Sequence, residues 1–548
     1  MSFLNLIRRE MHGSLSKLAF MSALGGVSIA TVLMAINAGL QAGSDERKSS
    51  LWAAALFMVA LFLFIKTQYY VTITTAAEIE AIVHKIRMRV MDHVRRSELL
   101  SMESIGRSNI IAAITSDTAV LTQASTMLCF TAQGAVLVIF VSIYVAFLSL
   151  AAFTTALVIV LTAGVLFHFR NRRVIAEKQR SAEWERRLFD RLLDFLDGFI
   201  EVRLNTARSD DLFDDALEVS RVAANIKIQS QAETFKMIVT SQISMYLLIG
   251  AVVFVAPQFS SALGGISLTK TTTALMFVVG ACFGLVQSIP IMLNANAAAV
   301  RVEQLEAALQ TKVAFREPED IAFPKAFDTI EMRDVVFRYV DKYSDTAFQI
   351  GPLDFTLRSG ELVFITGGNG SGKSTLLRVL AGIYPPDSGE ITFDGKRVND
   401  KTRDTYRALM SGIFFDYHLF HRLYGIHPVE QKEVDRLLTQ FRLADKTTVS
   451  NGEFSTLDLS GGQRRRLALI VNLLEKRPIL LLDEWTAEQD PEFRRKFYDE
   501  LLPEMKRAGF TVVLITHDDR YLDELHLPAR RIRMDEGRIV DERSIENG

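Results

Sequence analysis

The densest chemistry in the chain lies in Gly367-Gly368-Asn369-Gly370-Ser371-Gly372-Lys373-Ser374-Thr375. This run fits G-x-x-x-x-G-K-[ST], a phosphate-cradling loop. Its glycines let the backbone curl so that N–H groups face phosphate oxygens, and a helix opening directly after it adds partial positive charge. Lys373 is placed to reach β- and γ-phosphates. The Ser374 hydroxyl suits Mg²⁺, a hard cation that takes oxygen ligands. The flanks predict a strand over Glu361–Thr366 and a helix over Thr375–Ala381, the context that the motif requires.

A second signal is Pro478-Ile479-Leu480-Leu481-Leu482-Asp483-Glu484. Apolar residues before two acids predict a buried strand that delivers carboxylates to its C-terminal end, where open α/β sheets bind ligands. Asp483 there would hold Mg²⁺ and Glu484 would polarise an attacking water. The third signal is Leu459-Ser460-Gly461-Gly462-Gln463, followed by Arg464-Arg465-Arg466. Alone, a Ser-Gly-Gly turn before a helix is an anion-binding cap.

Taken in order, the phosphate loop, the LSGGQ segment and the acidic strand resemble an ABC nucleotide-binding domain from about Thr329 to the C-terminus. The resemblance implies that ATP is sandwiched between the phosphate loop of one copy and the Leu459–Gln463 signature of another. It further implies that Tyr339 stacks on adenine, that His517 contacts the γ-phosphate and that Asp490 is the aspartate of the loop after the acidic strand. Two departures stand out. Phe415 occupies the place of a glutamine that ordinarily serves Mg²⁺ and the attacking water, and the stretch from His421 to Asp458 is short. With Asp483–Pro491, Thr516–Tyr521 and Asp197–Asn205, these departures make the chain similar to bacterial cyclic-peptide exporters, the group that includes pyoverdine-type siderophore-precursor exporters.

Something must carry that domain. Hydrophobic residues make up 49% of the 548 and charged residues 23%, and mean hydropathy is +0.18. These values agree only if apolar and charged residues are segregated. A bilayer core takes roughly 20 apolar residues per helix, and six such runs occur before residue 300. They span about Leu18–Leu40, Leu51–Tyr70, Leu128–Leu148, Ala151–Phe169, Phe235–Val255 and Thr272–Leu293. Connections alternate. Ala42–Ser50, Ser149–Leu150 and Pro257–Lys270 are short, whereas Lys66–Gln123 and Arg170–Lys236 are long and rich in Lys and Arg. The bias of basic residues toward the cytoplasm puts the long connections on that side. No signal-peptide cleavage pattern follows the first run, so it reads as a retained helix.

The expected fold is an α-helical transmembrane domain of six exporter-type spans (1–300), a linker (301–325), and an α/β P-loop ABC nucleotide-binding domain (326–548). By resemblance the cofactors are ATP and Mg²⁺, and the partner is a second copy of the chain. The expected place is the bacterial inner membrane with the nucleotide-binding domain cytoplasmic. Helical arms near Met102–Arg107 and Asn205–Phe213 would pass domain closure to the spans. The net charge of −2 offers no basic field for nucleic acid. Cys129 and Cys282, each inside an apolar run, supply neither a disulfide framework nor a zinc site. Gln133, Ser142, Gln242, Ser244, Gln287, Asn294 and Asn296 are candidates to line a cavity for a peptide or amphipathic small molecule. Lipid or hydrophobic-drug export, siderophore import on the same fold, and an ATPase that gates a partner are the rival readings.

Overall fold

The computed structural model describes residues 2–10, 15–42, 47–255, 258, 265–310, 326–340 and 347–545. Helix-forming residues continue past the apolar runs, so each predicted span is the middle of a longer helix. The helices are α1 Ser2–Glu10, α2 Leu15–Ala42, α3 Arg47–Arg96, α4 Leu99–Ile105, α5 Arg107–Ala112, α6 Thr118–Leu148, α7 Leu150–Asp197, α8 Phe199–Leu204, α9 Thr206–Gly250 and α10 Gly265–Gln310. The 50 residues of α3 reach roughly 75 Å at 1.5 Å per residue, more than twice the thickness of a bilayer core. Among the described residues, Ser16–Gly39, Leu51–Arg96, Phe130–Leu148, Thr206–Val255 and Thr269–Leu309 are long and apolar enough to cross a membrane, while the fourth expected run shows a shorter apolar stretch, Leu150–Val165. Residues 43–46 of the predicted Ala42–Ser50 connection, residues 257 and 259–264 of the predicted Pro257–Lys270 connection, and linker residues 311–325 lie outside the described residues.

The chain packs as two units, Met1–Arg95 with Ile105–Gln310, and Arg96–Ser104 with Thr311–Gly548. In the first, α6 packs against α2 and α10 while α7 runs along α9. Leu33, Val141, Val145, Leu248, Ala274 and Leu275 form its core. Leu51, Trp52 and Phe62 on α3, and Val158, Leu161 and Val165 on α7, are exposed. A lipid environment would cover such faces, and the backbone polar groups beneath them are satisfied within each helix. In the second arm, residues 206–213 are helical and form the first turns of α9. The Asn205 side chain accepts from the Arg208 N–H and starts a new helix there. The six-residue helix α8 lies just upstream, with Phe199, Ile200 and Leu204 exposed.

The second unit is built on β1 Thr329–Val340, β2 Ala347–Arg358, β3 Leu362–Gly367, β4 Ser388–Phe393, β5 Lys396–Arg397, β6 Met410–Ile413, β7 Val449–Ser450, β8 Glu453–Phe454, β9 Ile479–Asp483, β10 Thr511–Ile515, β11 Ala529–Asp535 and β12 Arg538–Ile545. Between them come α11 Lys373–Leu380, α12 Arg403–Arg407, α13 Gln431–Gln440, α14 Gly461–Leu474, α15 Pro491–Lys496, α16 Leu502–Arg507 and α17 Asp519–Asp523. One sheet runs β2-β1-β4-β5; the main sheet runs β12-β11-β3-β10-β9-β6, with β11, β3, β10, β9 and β6 parallel. Leu362, Phe364, Leu480, Leu482 and Leu514 enter one core. Val363, Ile365, Leu481, Val513 and Ile515 enter the other. This two-residue alternation, apolar on both faces, is why the strands read as continuous hydrophobic runs.

Arg96–Ser104 belongs with this unit for a physical reason. Glu98 pairs with Arg407 at 2.6 Å and Arg403 at 3.5 Å, Glu103 accepts from the Tyr384 hydroxyl at 3.2 Å, and Leu99 and Leu100 pack on the second core.

Helix α1 buries Phe3, Leu6 and Ile7 on one stripe, the i, i+3, i+4 spacing of an amphipathic helix. Its last residue, Glu10, is almost wholly buried and accepts charge from Arg89 at 2.7 Å and Lys85 at 2.8 Å. Arg89 also meets Glu306 of α10 at 3.3 Å. Burial pushes the Glu10 carboxyl up, but hydrogen bonds and charge from Lys85 and Arg89 overcome it and hold the pKa at about 2 against an ordinary 4.5. At 1.36 kcal/mol per unit this is about 2–3 kcal/mol of docking stability, allowing for the partial exposure of Lys85. Because the folded pKa is lowered, that stability is full above pH 4.5 and is lost as pH falls toward 2. Glu10→Gln should lower hydrogen-exchange protection of residues 3–10 by roughly 30-fold at pH 7. Wild-type exchange rates there would show that the ion pairs do not hold the helix.

Candidate functional site: a phosphate loop at three strand ends

Register places Ile515 of β10 beside Ile365 of β3 and beside Asp483 of β9. The carboxyl ends of the three strands therefore lie side by side. Gly367 leaves β3 with φ +146°, and a β-carbon there would meet the Met534 carbonyl oxygen at 2.2 Å. Only glycine fits. Gly368, Asn369, Gly370 and Ser371 form the turn, Gly372 caps α11, and Lys373, Ser374 and Thr375 form its first turn. Lys373 Nζ donates to the carbonyls of Gly367 at 3.0 Å and Gly368 at 2.8 Å. Burial lowers the pKa of Lys373, and the Glu484 and Asp483 carboxylates oppose that shift.

The Ser374 hydroxyl donates to Asp483 Oδ1 at 3.1 Å. Asp483 is 1% exposed. Burial raises its pKa, against hydrogen bonds from Ser374 and from the Phe415 N–H. Its second oxygen, Oδ2, is buried with no hydrogen-bond partner among the described residues. A hydroxyl oxygen beside a carboxylate with one uncommitted oxygen is a donor set that fits Mg²⁺.

Glu484, the next residue, has φ +48°, a conformation that a β-carbon disfavours. Its carboxylate meets His517 Nε2 at 3.2 Å. The segment around His517 is held from beneath. The Tyr498 hydroxyl bonds Thr516 at 3.0 Å and Asp518 at 3.2 Å, and Arg494 donates to Asp518 at 3.2 Å. Tyr339, at the end of β1, is 41% exposed. Its cross-strand partner is Phe348, whose ring lies close to Gly372.

The signature segment is a capping box. The Ser460 hydroxyl accepts from the Gln463 N–H, and Gln463 Oε1 accepts from the Ser460 N–H at 3.0 Å. Leu459 packs on the first core. A β-carbon on Gly461 or Gly462 would come within 2.8 Å of Glu488 atoms, so the glycines are where the helix start meets the loop after Glu484. Gln489 donates to the Gly462 carbonyl at 3.1 Å. Asp490 accepts from the Phe493 N–H at 2.8 Å and pairs with Arg466. Both of its oxygens are thus engaged within its own unit. Among the described residues, no hydrogen bond or ion pair joins the signature to the phosphate loop.

Sequence reasoning missed Arg465, Arg466, Trp485, Arg494 and Tyr498. The available signals are the basic run after Gln463 and, for Trp485, its place within Asp483–Pro491. Phe415 is 66% exposed. Asp416 pairs with Arg378 at 3.3 Å, Arg378 donates to the Tyr384 hydroxyl at 3.1 Å, and Tyr384 donates to Glu103. Asp416 is thus turned toward α11. Of the polar membrane residues, Ser244 donates to the Thr240 carbonyl at 2.9 Å, and Asn296 accepts the Phe3 N–H at 3.4 Å. Gln133 is buried near Gly25 and its amide nitrogen has no partner among the described residues.

The fold and this site define a membrane protein powered by a P-loop ATPase. The ABC transporter family pattern matches residues 350–487. ATP-binding protein SyrD of Pseudomonas syringae pv. syringae is 32% identical over 537 residues, covering 95% of this chain and 92% of SyrD. The probable syringafactin export ATP-binding/permease protein SyfD of P. syringae pv. syringae strain B728a is 32% identical over 226 residues, 39% of this chain and 34% of SyfD. A bacterial Atm1-family ABC exporter solved with ATP bound shares the fold, with TM-score 0.78 at 19% identity over 98% of this chain and 95% of that one. The chain belongs to the ABC transporter family as an exporter-type half-transporter that couples ATP hydrolysis to transport.

Mg²⁺ retains waters readily, so a water can stand where Phe415 supplies no ligand. Asp416→Ala should leave the Mg²⁺ dependence of ATP hydrolysis nearly unchanged, whereas Phe415→Gln should lower the Mg²⁺ concentration at half-maximal rate. A titration of rate against Mg²⁺ decides. A sharply raised requirement in Asp416→Ala, with Phe415→Gln unchanged, would make Asp416 the ligand.

Proposed function

We propose that two identical copies export a peptide, cyclic or non-ribosomally made and of the siderophore-precursor kind, across the bacterial inner membrane. Residues 1–300 serve as the membrane domain with six spans, and 301–325 as the linker. Residues 326–548 serve as the cytoplasmic nucleotide-binding domain. The observation that carries the reading is the meeting of Glu484 and His517 at 3.2 Å beside Lys373, Ser374 and Asp483, in a chain with one phosphate loop and one signature. A single copy holds half of a sandwich. The exposed Ser460 and Gly461 at the start of α14 turn N–H groups of a helix N-terminus outward, a fit for phosphate.

The roles follow from position. Tyr339 stacks on the adenine. The loop N–H groups from Gly367 to Thr375 and the Lys373 ammonium hold β- and γ-phosphates. Ser374 and Asp483 would hold Mg²⁺, which supplies charge neutralisation on the phosphates. Glu484 accepts a proton from the attacking water as general base, and His517 steadies that carboxylate and reaches the γ-phosphate. Leu459–Gln463 of the second copy completes the site, and Asp490 sets the loop that meets it. ATP shifts the equilibrium to the closed pair because it contacts both copies only when they are together, which is the differential affinity such a shift needs. The peptide class rests on the extent of likeness to SyrD and on the export role in SyfD's name.

Glu484→Gln should keep ATP binding, trap the closed pair, and lose about 10²–10⁴-fold in turnover. Turnover within a few-fold of wild type would remove Glu484 from the role of base. For the cargo, the measurement is ATP-dependent uptake of a labelled cyclic peptide into inside-out vesicles. Uptake absent from Glu484→Gln vesicles supports peptide export. Uptake of only lipid or hydrophobic dye, or peptide movement in the opposite direction, would replace it with the corresponding rival.

A further inference from the structure

Arg465 lies two residues beyond the signature, yet its guanidinium works on the hydrolysis side of the same unit. Its side chain is 3% exposed. Nη1 donates to the Glu484 carbonyl, and Nη2 pairs with Glu488 at 3.0 Å. The guanidinium also sits over the Phe415 ring at 5.9 Å, within cation–π range. The backbone joins in, because Trp485 Nε1 donates to the Arg465 carbonyl at 2.9 Å. Residues 484, 485 and 488 are thus all tied to one position on α14. Trp485 is fully buried and packed on Phe497 at 4.7 Å, which makes that tie stiff.

Glu484 needs such a tie. Its φ of +48° is disfavoured for a residue with a β-carbon, and a backbone of this kind persists only where its surroundings over-determine it. The Glu484 N–H donates to the Ile515 carbonyl at 3.1 Å, and its carbonyl accepts from Arg465. Both peptide groups flanking the left-handed residue are therefore held, one by β10 and one by α14. Relaxation toward an ordinary φ would swing the carboxylate away from His517.

We infer that Arg465 is a positioning residue for ATP hydrolysis, holding Glu484 in its left-handed conformation and linking that residue to the helix that begins with the signature. The inference rests on the reading of Glu484 as general base. Among the described residues, Arg465 makes no hydrogen bond or ion pair to the Gly367–Thr375 loop, its partners being Glu484, Glu488 and Trp485, so its loss should fall on turnover and spare affinity. The planar fork that reaches a carbonyl and a carboxylate together is particular to arginine; lysine keeps the charge but, as a single compact ammonium, reaches only one of the two partners.

The test compares Arg465→Gln, Arg465→Lys and Glu484→Gln in the full chain, reading ATP affinity and single-turnover hydrolysis separately. Arg465→Gln should bind ATP within about twofold of wild type and hydrolyse it on the order of 10²-fold more slowly, the scale of a misplaced catalytic group. Arg465→Lys should recover about tenfold of that loss, as one restored contact of the two would. Added to Glu484→Gln, Arg465→Gln should cost less than about threefold more, since residues acting as a unit are not additive. Should Arg465→Gln fail to give folded protein, Arg465→Lys carries the test by itself, with affinity kept and turnover reduced about tenfold. Wild-type turnover in the Arg465 variants, with Glu484→Gln inactive, overturns the inference alone. So does a full additional loss on top of Glu484→Gln. Near-wild-type turnover in Glu484→Gln overturns the base reading and the inference with it.

Discussion

The hydrogen bond from the Ser374 hydroxyl to the buried Asp483 carboxylate, at 3.1 Å, joins the start of α11 to the end of β9. Two strands separated by a third can share that contact only if the parallel register of β3, β10 and β9 holds to the residue. A slip of one would turn Asp483 to the opposite face of the sheet. Because both faces of these strands are apolar, the close packing of their side chains in the two cores holds that register. The hydrophobic core is in this sense the device that aims a carboxylate at a hydroxyl, and an oxygen pair of this kind is what a hard cation requires.

Around this contact the unit distributes polar groups in two shells of different purpose. Glu484 and His517 face outward at the strand ends and remain partly exposed. Behind them Tyr498, Asp518 and Arg494 hold the His517 segment, while Arg465 and Arg466 hold the loop from Glu484 to Asp490. Tyr498, Arg494, Arg465 and Arg466 sit on helical segments, so the loop residues Glu484 and His517 that carry the chemistry are braced by regular elements. The signature belongs to the same arrangement, since a β-carbon on Gly462 would collide with the Glu488 carbonyl.

The membrane unit obeys a different constraint. In lipid, backbone groups must be satisfied within each helix, and apolar side chains are tolerated on the outer face. Hence α3 and α7 display rows of exposed large hydrophobics, while the buried carboxylates Glu10 and Asp117 are paired, the first with Arg89 and the second with Arg301 at 2.5 Å. The aromatic and charged contacts of Arg96–Ser104 with Tyr384, Arg403 and Arg407 make this short stretch part of the nucleotide-binding unit, although it interrupts the helical chain of the first.

Local pattern carries the parts of this protein that are legible in its amino-acid order. The phosphate loop, the acidic strand and the signature were legible because each needs fixed residue types at fixed spacing, and the long helices were legible because a bilayer demands long apolar runs. Tyr339, His517 and Asp490 were found only by likeness to a family, since a lone tyrosine, histidine or aspartate has no spacing of its own. Tertiary structure alone decided that Arg465 and Arg466 turn inward to the Glu484–Asp490 loop, that Asp416 is spent on Arg378, that α8 precedes Asn205, and that Arg96–Ser104 leaves its neighbours for the other unit. Each of these is a contact between residues from 19 to several hundred positions apart, or a boundary set by one capping side chain. An arginine on a predicted helix can face solvent or core with the same local sequence. What selects between them is the partner that the fold brings to the other end.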